Sequence, residues 1–274
     1  MLPARKGPEA VEQDAPPKND RPSGPEDGGP PGRTARRRML YSGAGLLLLA
    51  VGAMHSGRKP AAGPAAQLPG SRQQSRLASA PRYYVNDAGP MAIALTMDDG
   101  PHPVYTPQVL EILAGYGITA TFNMIGSQIG ANLSLVREVA AAGHTITNHT
   151  WDHADMREYP ATRVLAEIDR CNDVLAEAGQ SPTIFRAPFG YWTPAVFEAC
   201  ATRGMEPLGW SVDPQDWDTA HVSTSDIVNK VLRSTRAHDI ILEHDGGGDR
   251  SNTIAALQIF IPELLDRGFV FTAV

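Results

Sequence analysis

Cysteine is scarce in this chain: Cys171 and Cys200 are the only two, and no Cys-x-x-Cys spacing is present. Thiolate metal binding is therefore disfavoured, while the pair itself fits either a disulfide in an exported protein or two buried thiols. Long hydrophobic runs are also missing. The apolar stretch at 41–54 is short against the roughly 20 residues of a spanning helix, and three glycines interrupt it. No internal repeat of 20–50 residues recurs, which excludes solenoids and propellers. Basic charge is thin from residue 83 onward. Of 24 Lys and Arg, 13 lie in 1–82 beside 6 of the 30 Asp and Glu, giving +7; the remaining 11 and 24 give −13. An acidic domain lacks the cations that supply most phosphate-backbone affinity, so nucleic acid is not an expected partner.

The same boundary separates two kinds of sequence. Residues 1–82 are rich in Pro, Gly, Ala and Arg without a sustained apolar period, whereas apolar runs and capped helical patterns alternate from Tyr83 to Val274. The expected organisation is a disordered N-terminal stretch, 1–82, and one folded domain, 83–274. Within the former, Arg36-Arg37-Arg38-Met39-Leu40 precedes the apolar stretch, with Leu46 to Leu49 at its centre. A basic segment followed by an apolar one is the order of a secretory signal, and Arg36-Arg37 resembles a twin-arginine pair. Export is thus the expectation, with an uncleaved anchor facing outward as the alternative. Any membrane contact would run through this segment alone.

In the folded part, strands are expected at 91–97, 118–124, 145–147, 183–186, 207–212, 239–243 and 269–273. Helices are expected at 107–115, 133–142, 161–178, 194–203, 224–233 and 252–266. Gly117, Gly143, Gly179, Gly204 and Gly268 each close a helical pattern shortly before a strand, where a left-handed cap is needed. About seven βα steps read as an α/β fold, a closed or incompletely closed (β/α) barrel, whose active site would lie just after the strands.

Chemistry-bearing residues gather at those positions. Thr96-Met97-Asp98-Asp99-Gly100-Pro101 ends the first strand, and two adjacent carboxylates repel unless a cation or proton relieves them. Asn148-His149-Thr150-Trp151-Asp152-His153 follows the third, with two histidines four apart; on a helical turn they would share a face. Two imidazoles and one aspartate make a three-ligand set for Zn²⁺ or a similar ion, leaving a position open for water. The glycine-rich stretch Asp245 to Asp249 lacks the Gly-Lys-Ser/Thr ending of a phosphate loop and reads as a loop. His102, His144, His221 and His238 have no companion motif and read as surface or supporting residues.

Together with Arg186-Ala187-Pro188-Phe189-Gly190, Asp213-Pro214-Gln215-Asp216-Trp217 and Leu242-Glu243-His244, these two segments resemble the five ordered motifs of the polysaccharide deacetylase family, the NodB-homology carbohydrate esterases. The resemblance runs from Met91 to Val274. Two departures are visible: Met97 stands where the family usually has Phe, and Phe189 where Tyr is common. The resemblance implies a distorted β/α barrel that removes acetyl groups from N-acetylated or O-acetylated glycans. It implies one divalent metal, Zn with Co or Mn as alternatives, on Asp99, His149 and His153, with an activated water as nucleophile. Asp98 would be the base, oriented by Arg186. His244 would be the acid, with Asp216 stabilising its imidazolium, and the Phe189 N–H would share the oxyanion. Tyr191, Trp192 and Trp217 adjoin motifs, and one of them would stack on a sugar ring.

Two other readings compete. A metallopeptidase would use His149-Thr-Trp-Asp-His153 as an inverted zinc motif, but needs a long helix there. A glycan-binding module without turnover would be expected to lack the base or the acid, and both are present. Peptidoglycan, chitin-like and xylan-like glycans all remain open as substrates.

Overall fold

Among the described residues, seven short, mostly apolar runs become seven strands of one sheet, every paired set parallel. The computed structural model describes Ala78, residues 80–85 and residues 88–274; the signal-like segment 36–54 lies outside the described residues. The strands are β1 Ala92–Asp98, β2 Thr121–Met124, β3 Thr145–Asn148, β4 Ile184–Phe185, β5 Glu206–Pro207, β6 Ile240–His244 and β7 Val270–Thr272. They lie in the order β5-β4-β3-β2-β1-β6, and β7 pairs with the start of β1. Parallel neighbours need crossovers. These are supplied by α1 Tyr105–Tyr116, α2 Gly126–Ile129 with α3 Leu133–Ala141, α4 Ala161–Glu177, α5 Pro194–Arg203, α6 Thr224–Ser234 and α7 Ser251–Asp266.

Strand periodicity decides which residues reach the site. Successive side chains of β1 alternate faces. Ile93, Leu95 and Met97 enter the large core shared with α1, α3, α6 and α7, while Ala92 and Ala94 join the small apolar plug of Val85, Ile184, Leu208 and Ile240. Continuing that inward row toward the strand end gives Thr96 and Asp98, both buried. A separate cluster under α4 and α5 packs Phe185, Ile168, Val196 and Cys200. Cys171 and Cys200 thus occupy different cores, and both are free thiols.

The barrel is incomplete, and the expected strand at 207–212 accounts for much of that. Only Glu206–Pro207 pairs as a strand, because the carbonyls of Leu208 and Gly209 turn to accept from Arg186 instead of a neighbouring strand. The gap between β5 and β6 is spanned by isolated bridges: Arg82 with Leu208, Tyr84 with Asp239 and Val212 with Ile241. The five capping glycines all stand at φ between 64° and 86°. α2 was not expected; its Gly126 fits against Trp151 and the Cys171 backbone, a close approach rather than a periodic pattern.

Candidate active site

Every motif residue arrives at the carboxyl end of a strand or in the loop after it. Asp98 ends β1 and His244 ends β6, and the two are register partners in adjacent strands. Asp98 Oδ1 accepts from Arg186 Nη1 at 2.7 Å and from Asn123 Nδ2 at 2.6 Å. Arg186, wholly buried, spends its other donors on Thr96 Oγ1 at 2.7 Å, Gly209 O at 2.9 Å and Leu208 O at 3.4 Å. Burial lowers the Arg186 pKa, and the Asp98 carboxylate opposes that shift. A buried charge pair of this kind survives only with its remaining donors satisfied.

The histidine segment is not helical. Thr150 and His153 take φ of 69° and 60°, and this looped path, rather than a helical turn, brings the two imidazoles to a centroid distance of 5.0 Å. Asn148 fixes the loop by accepting from the Thr150 N–H at 2.8 Å, and Thr150 Oγ1 accepts from the His153 N–H at 3.0 Å. His149 Nδ1 faces the Arg186 carbonyl at 2.8 Å, which makes Nδ1 the protonated nitrogen and leaves the Nε2 lone pair aimed inward. Asp99, at φ 71°, lies opposite: its Oδ1 is 3.5 Å from His149 Nε2 and 3.3 Å from His153 Nε2. Burial pushes the Asp99 carboxyl up, but His149, His244 and His153 outweigh it and hold it below the usual range. Burial lowers His153, which favours its neutral form.

These three residues fit a divalent cation. Asp99 Oδ1 is buried without a hydrogen-bond donor among the described residues, an oxygen in want of a positive partner. The ligand atoms of Asp99, His149 and His153 all lie within 4.8 Å of one another. Two imidazole nitrogens and a carboxylate oxygen suit Zn²⁺ and its first-row neighbours.

Across the site, Asp216 Oδ1 lies 2.6 Å from His244 Nδ1, and Asp216 Oδ2 accepts from the His244 backbone N–H at 2.9 Å. Burial alone would lower the His244 pKa; Asp216, then Asp99 and Asp98, override it and raise it to about 9. Phe189 sits at φ 59°, half exposed at 54%, its ring edge-on to His153 at 4.6 Å and 5.4 Å from Tyr191. Arg157 lies over the Tyr191 ring at 4.4 Å. Trp217 is 49% exposed and lines the same groove, of about 630 Å³, with Phe189, Tyr191, Asp213 and Arg250. Trp192 turns away and stacks on Phe197.

Several contributors were not singled out in the sequence. Asn123 lies between Phe122 and Met124 near the end of β2, a buried amide among apolar neighbours and a visible signal. Thr253 donates to Asp216 Oδ2 at 2.7 Å, and Arg250 binds the Asp216 carbonyl at 3.2 Å; both lie in or beside α7, with no motif to mark them. The Asp245 carboxyl, pushed up to about 7 by burial, accepts from Thr106 Oγ1 at 2.5 Å. The glycine-rich turn has a steric reason: a Cβ at Gly246 would lie 2.1 Å from the Asp99 carbonyl, and one at Gly247 2.5 Å from Asp99 Oδ2. His102 and His144 prove to be supports, Nδ1 of His102 accepting from the first N–H groups of α1 and Nδ1 of His144 from the Ala120 N–H.

Comparison with known proteins gives a consistent result. The profile described as polysaccharide deacetylase matches residues 86–208. The chain is 41% identical to a peptidoglycan-N-acetylglucosamine deacetylase of Bacillus cereus over 184 residues, 66% of this chain and 85% of that protein. It is 36% identical to a chitooligosaccharide deacetylase of Sinorhizobium fredii over 211 residues, 73% and 96% of the two. A solved peptidoglycan N-acetylglucosamine deacetylase, bound to 4-naphthalen-1-yl-N-oxidanyl-benzamide, superposes with a TM-score of 0.65 at 29% identity, covering 68% of this chain and 87% of the other.

Proposed function

Because the chain belongs to the polysaccharide deacetylase family, we propose that its groove removes acetyl groups from N-acetylglucosamine-containing glycans, with one divalent metal, Zn²⁺ or failing that Co²⁺ or Mn²⁺, on Asp99, His149 and His153. The observation that carries this reading is the register pairing of Asp98 with His244 in adjacent strands beside a donor set suited to a cation, the arrangement that a base and an acid would need.

A bound cation of this class supplies Lewis acidity toward the acetyl carbonyl and lowers the pKa of water. The chain's own groups do the rest. Asp98, held by Arg186 and Asn123 on Oδ1, keeps Oδ2 free to take a proton from the attacking water. Phe189, at positive φ on the groove wall, would offer its N–H to the developing oxyanion. His244, its tautomer fixed by Asp216 on Nδ1, delivers a proton from Nε2 to the departing sugar amine. Tyr191 and Trp217 offer apolar ring faces to a pyranose. The signal-like residues 36–54 would carry residues 83–274 across the membrane, which puts wall or environmental glycans within reach.

The test is acetate release from peptidoglycan, chitooligosaccharide and acetylated xylan, before and after chelation, with metal content measured on the same samples. Asp98→Asn is expected to keep its metal and lose at least 10²-fold in turnover, while His149→Ala loses both. Equal metal loss in the two variants would remove the base assignment, and no acetate from any polymer would remove the activity.

A further inference from the structure

The reaction above makes no use of Glu243, yet Glu243 sits in an environment hostile to a charge. Leu242 and His244 face the groove, so Glu243 points to the other side of β6, toward the helix-covered face. Its register partner there is Met97, and both Met97 and Ile241 belong to the main apolar core. Its relative exposure is 0%, and neither carboxyl oxygen receives a hydrogen bond from any described residue. The charged groups that face it are Asp216 and Asp213 from the loop before α6, and Arg250 from the turn before α7. Arg250 has already committed Nε to Gly246 O at 2.6 Å and Nη1 to Asp216 O at 3.2 Å.

With both acids ionised, Glu243 and Asp216 would leave two interacting carboxylate charges in a dry layer with no proton between them, an arrangement that low dielectric disfavours. One proton resolves it. Burial, then the Asp216 charge, hold the Glu243 carboxyl well above the usual carboxylate range, whereas Asp216, also buried, is kept below that range by His244, Thr253 and Glu243. Asp216 already accepts from the His244 backbone N–H, His244 Nδ1–H and the Thr253 hydroxyl, whereas the wholly buried Glu243 carboxyl accepts from nothing among the described residues, so the proton resides on Glu243. Its O–H then becomes a further donor to Asp216, beside the His244 backbone N–H, His244 Nδ1–H and the Thr253 hydroxyl.

We propose that Glu243 is a neutral carboxylic acid in the folded enzyme and a positioning residue for the acid, its O–H to Asp216 limiting how tightly Asp216 holds the His244 ring. Each donor on a carboxylate spreads its charge, so a less satisfied Asp216 would pull harder on Nδ1–H, make the imidazole more basic and weaken it as an acid. The proposal rests on the deacetylase reading for its kinetic part alone.

Two substitutions separate a donor from a charge. Glu243→Leu puts an apolar side chain of similar size into an apolar layer, so thermal unfolding should stay cooperative. Its kcat on a chitooligosaccharide should fall on the order of tenfold, the weight of one hydrogen bond to a charged group, with KM unchanged. Hydrolysis of an activated aryl acetate, whose leaving group needs no proton, should be spared. Glu243→Gln, whose amide N–H can donate without charge, should recover most of that loss. Infrared difference spectra at neutral pH should show a protonated-carboxyl C=O band in the wild type that both variants lack. Loss of no such band, or a Gln variant as slow as the Leu variant, would overturn the proposal. A wild type that releases no acetate from any glycan would strike the deacetylase reading, with the infrared band still deciding where the proton resides.

Discussion

His244 and Asp216 form a buried ion pair whose pH dependence has a definite sign. The folded His244 pKa, about 9, exceeds its ordinary value of 6.5, so the pair stabilises the fold fully below about pH 6.5 and loses that contribution as pH rises through about 9. The acid form persists over the same range, and turnover should fall through an alkaline limb set by this group. Asp216→Asn removes the charge that raises His244, so the limb should move to lower pH while metal content holds. Its loss of stability should also be larger at pH 6 than at pH 10. A full kcat/KM profile with parallel thermal unfolding checks both; a limb that stays in place would assign it to another group. Asp98, Asp99, His149 and His153 were legible in the sequence because polar groups at strand ends stand out against apolar runs, whereas His244 was marked only by the family resemblance. Thr253 and Arg250 were not legible, because each acts only through the partner that the fold brings to it; Asn123 carried a signal, a polar residue between apolar neighbours, but no companion motif to give it a role. The family resemblance supplied the division of labour between Asp98 and Asp99, which neighbouring identical residues do not declare.

Loops and turns translate those side chains into a site, and here sequence patterns were a weaker guide. Four-residue spacing suggested a helical turn for His149 and His153, whereas positive φ at Thr150 and His153 achieves the same approach without a helix. The β6–α7 turn is the counterpart on the other wall. Gly247, at φ 74°, leaves room for Asp99, and a methyl group there would meet Asp99 Oδ2 at 2.5 Å. Gly247→Ala is therefore expected to displace the Asp99 carboxylate and weaken metal affinity by at least tenfold, in the manner of a disturbed supporting shell. The global fold should persist, since the turn is on the surface of the groove. Metal titration by calorimetry, alongside circular dichroism, tests this; unchanged affinity would mean that Asp99 can move without leaving the ligand set.

For the whole domain, the informative region is the seam between β5 and β6. Arg82 pairs with Glu206 at 2.8 Å, exchanges backbone bonds with Pro207 and Gly209, and is followed by a Val85 N–H bond to His238. Composition placed the start of the folded part near Tyr83, and alternation of strands and helices gave the barrel class. What composition could not reveal is that the opening residues, few and only partly apolar, serve as mortar for a seam that regular strands leave open. A chain starting at Ala80 should fold and act as well as longer ones. One starting at Met91 forfeits the three backbone bonds that cross the seam and an ion pair, about 2–4 kcal/mol in total, and its Tm should fall by about 5–15 °C. Because Gly209 also accepts from Arg186, activity should fall further than stability alone explains. Calorimetry of the two chains decides; equal Tm values would show that the seam carries no load.

The register between Asp98 and His244 also bears on how such an enzyme can diversify. Their separation is set by directly neighbouring parallel backbones, so it is as invariant as the strand spacing itself, about 4.8 Å. The rim behaves differently: Ser127, Gln128, Asp213 and Trp217 all sit on connections outside the strands. Reaction chemistry and substrate preference are thereby uncoupled. Rim connections can be exchanged, lengthened or recombined by drift or by engineering, while the spacing of the proposed base and acid at the bottom of the groove is kept.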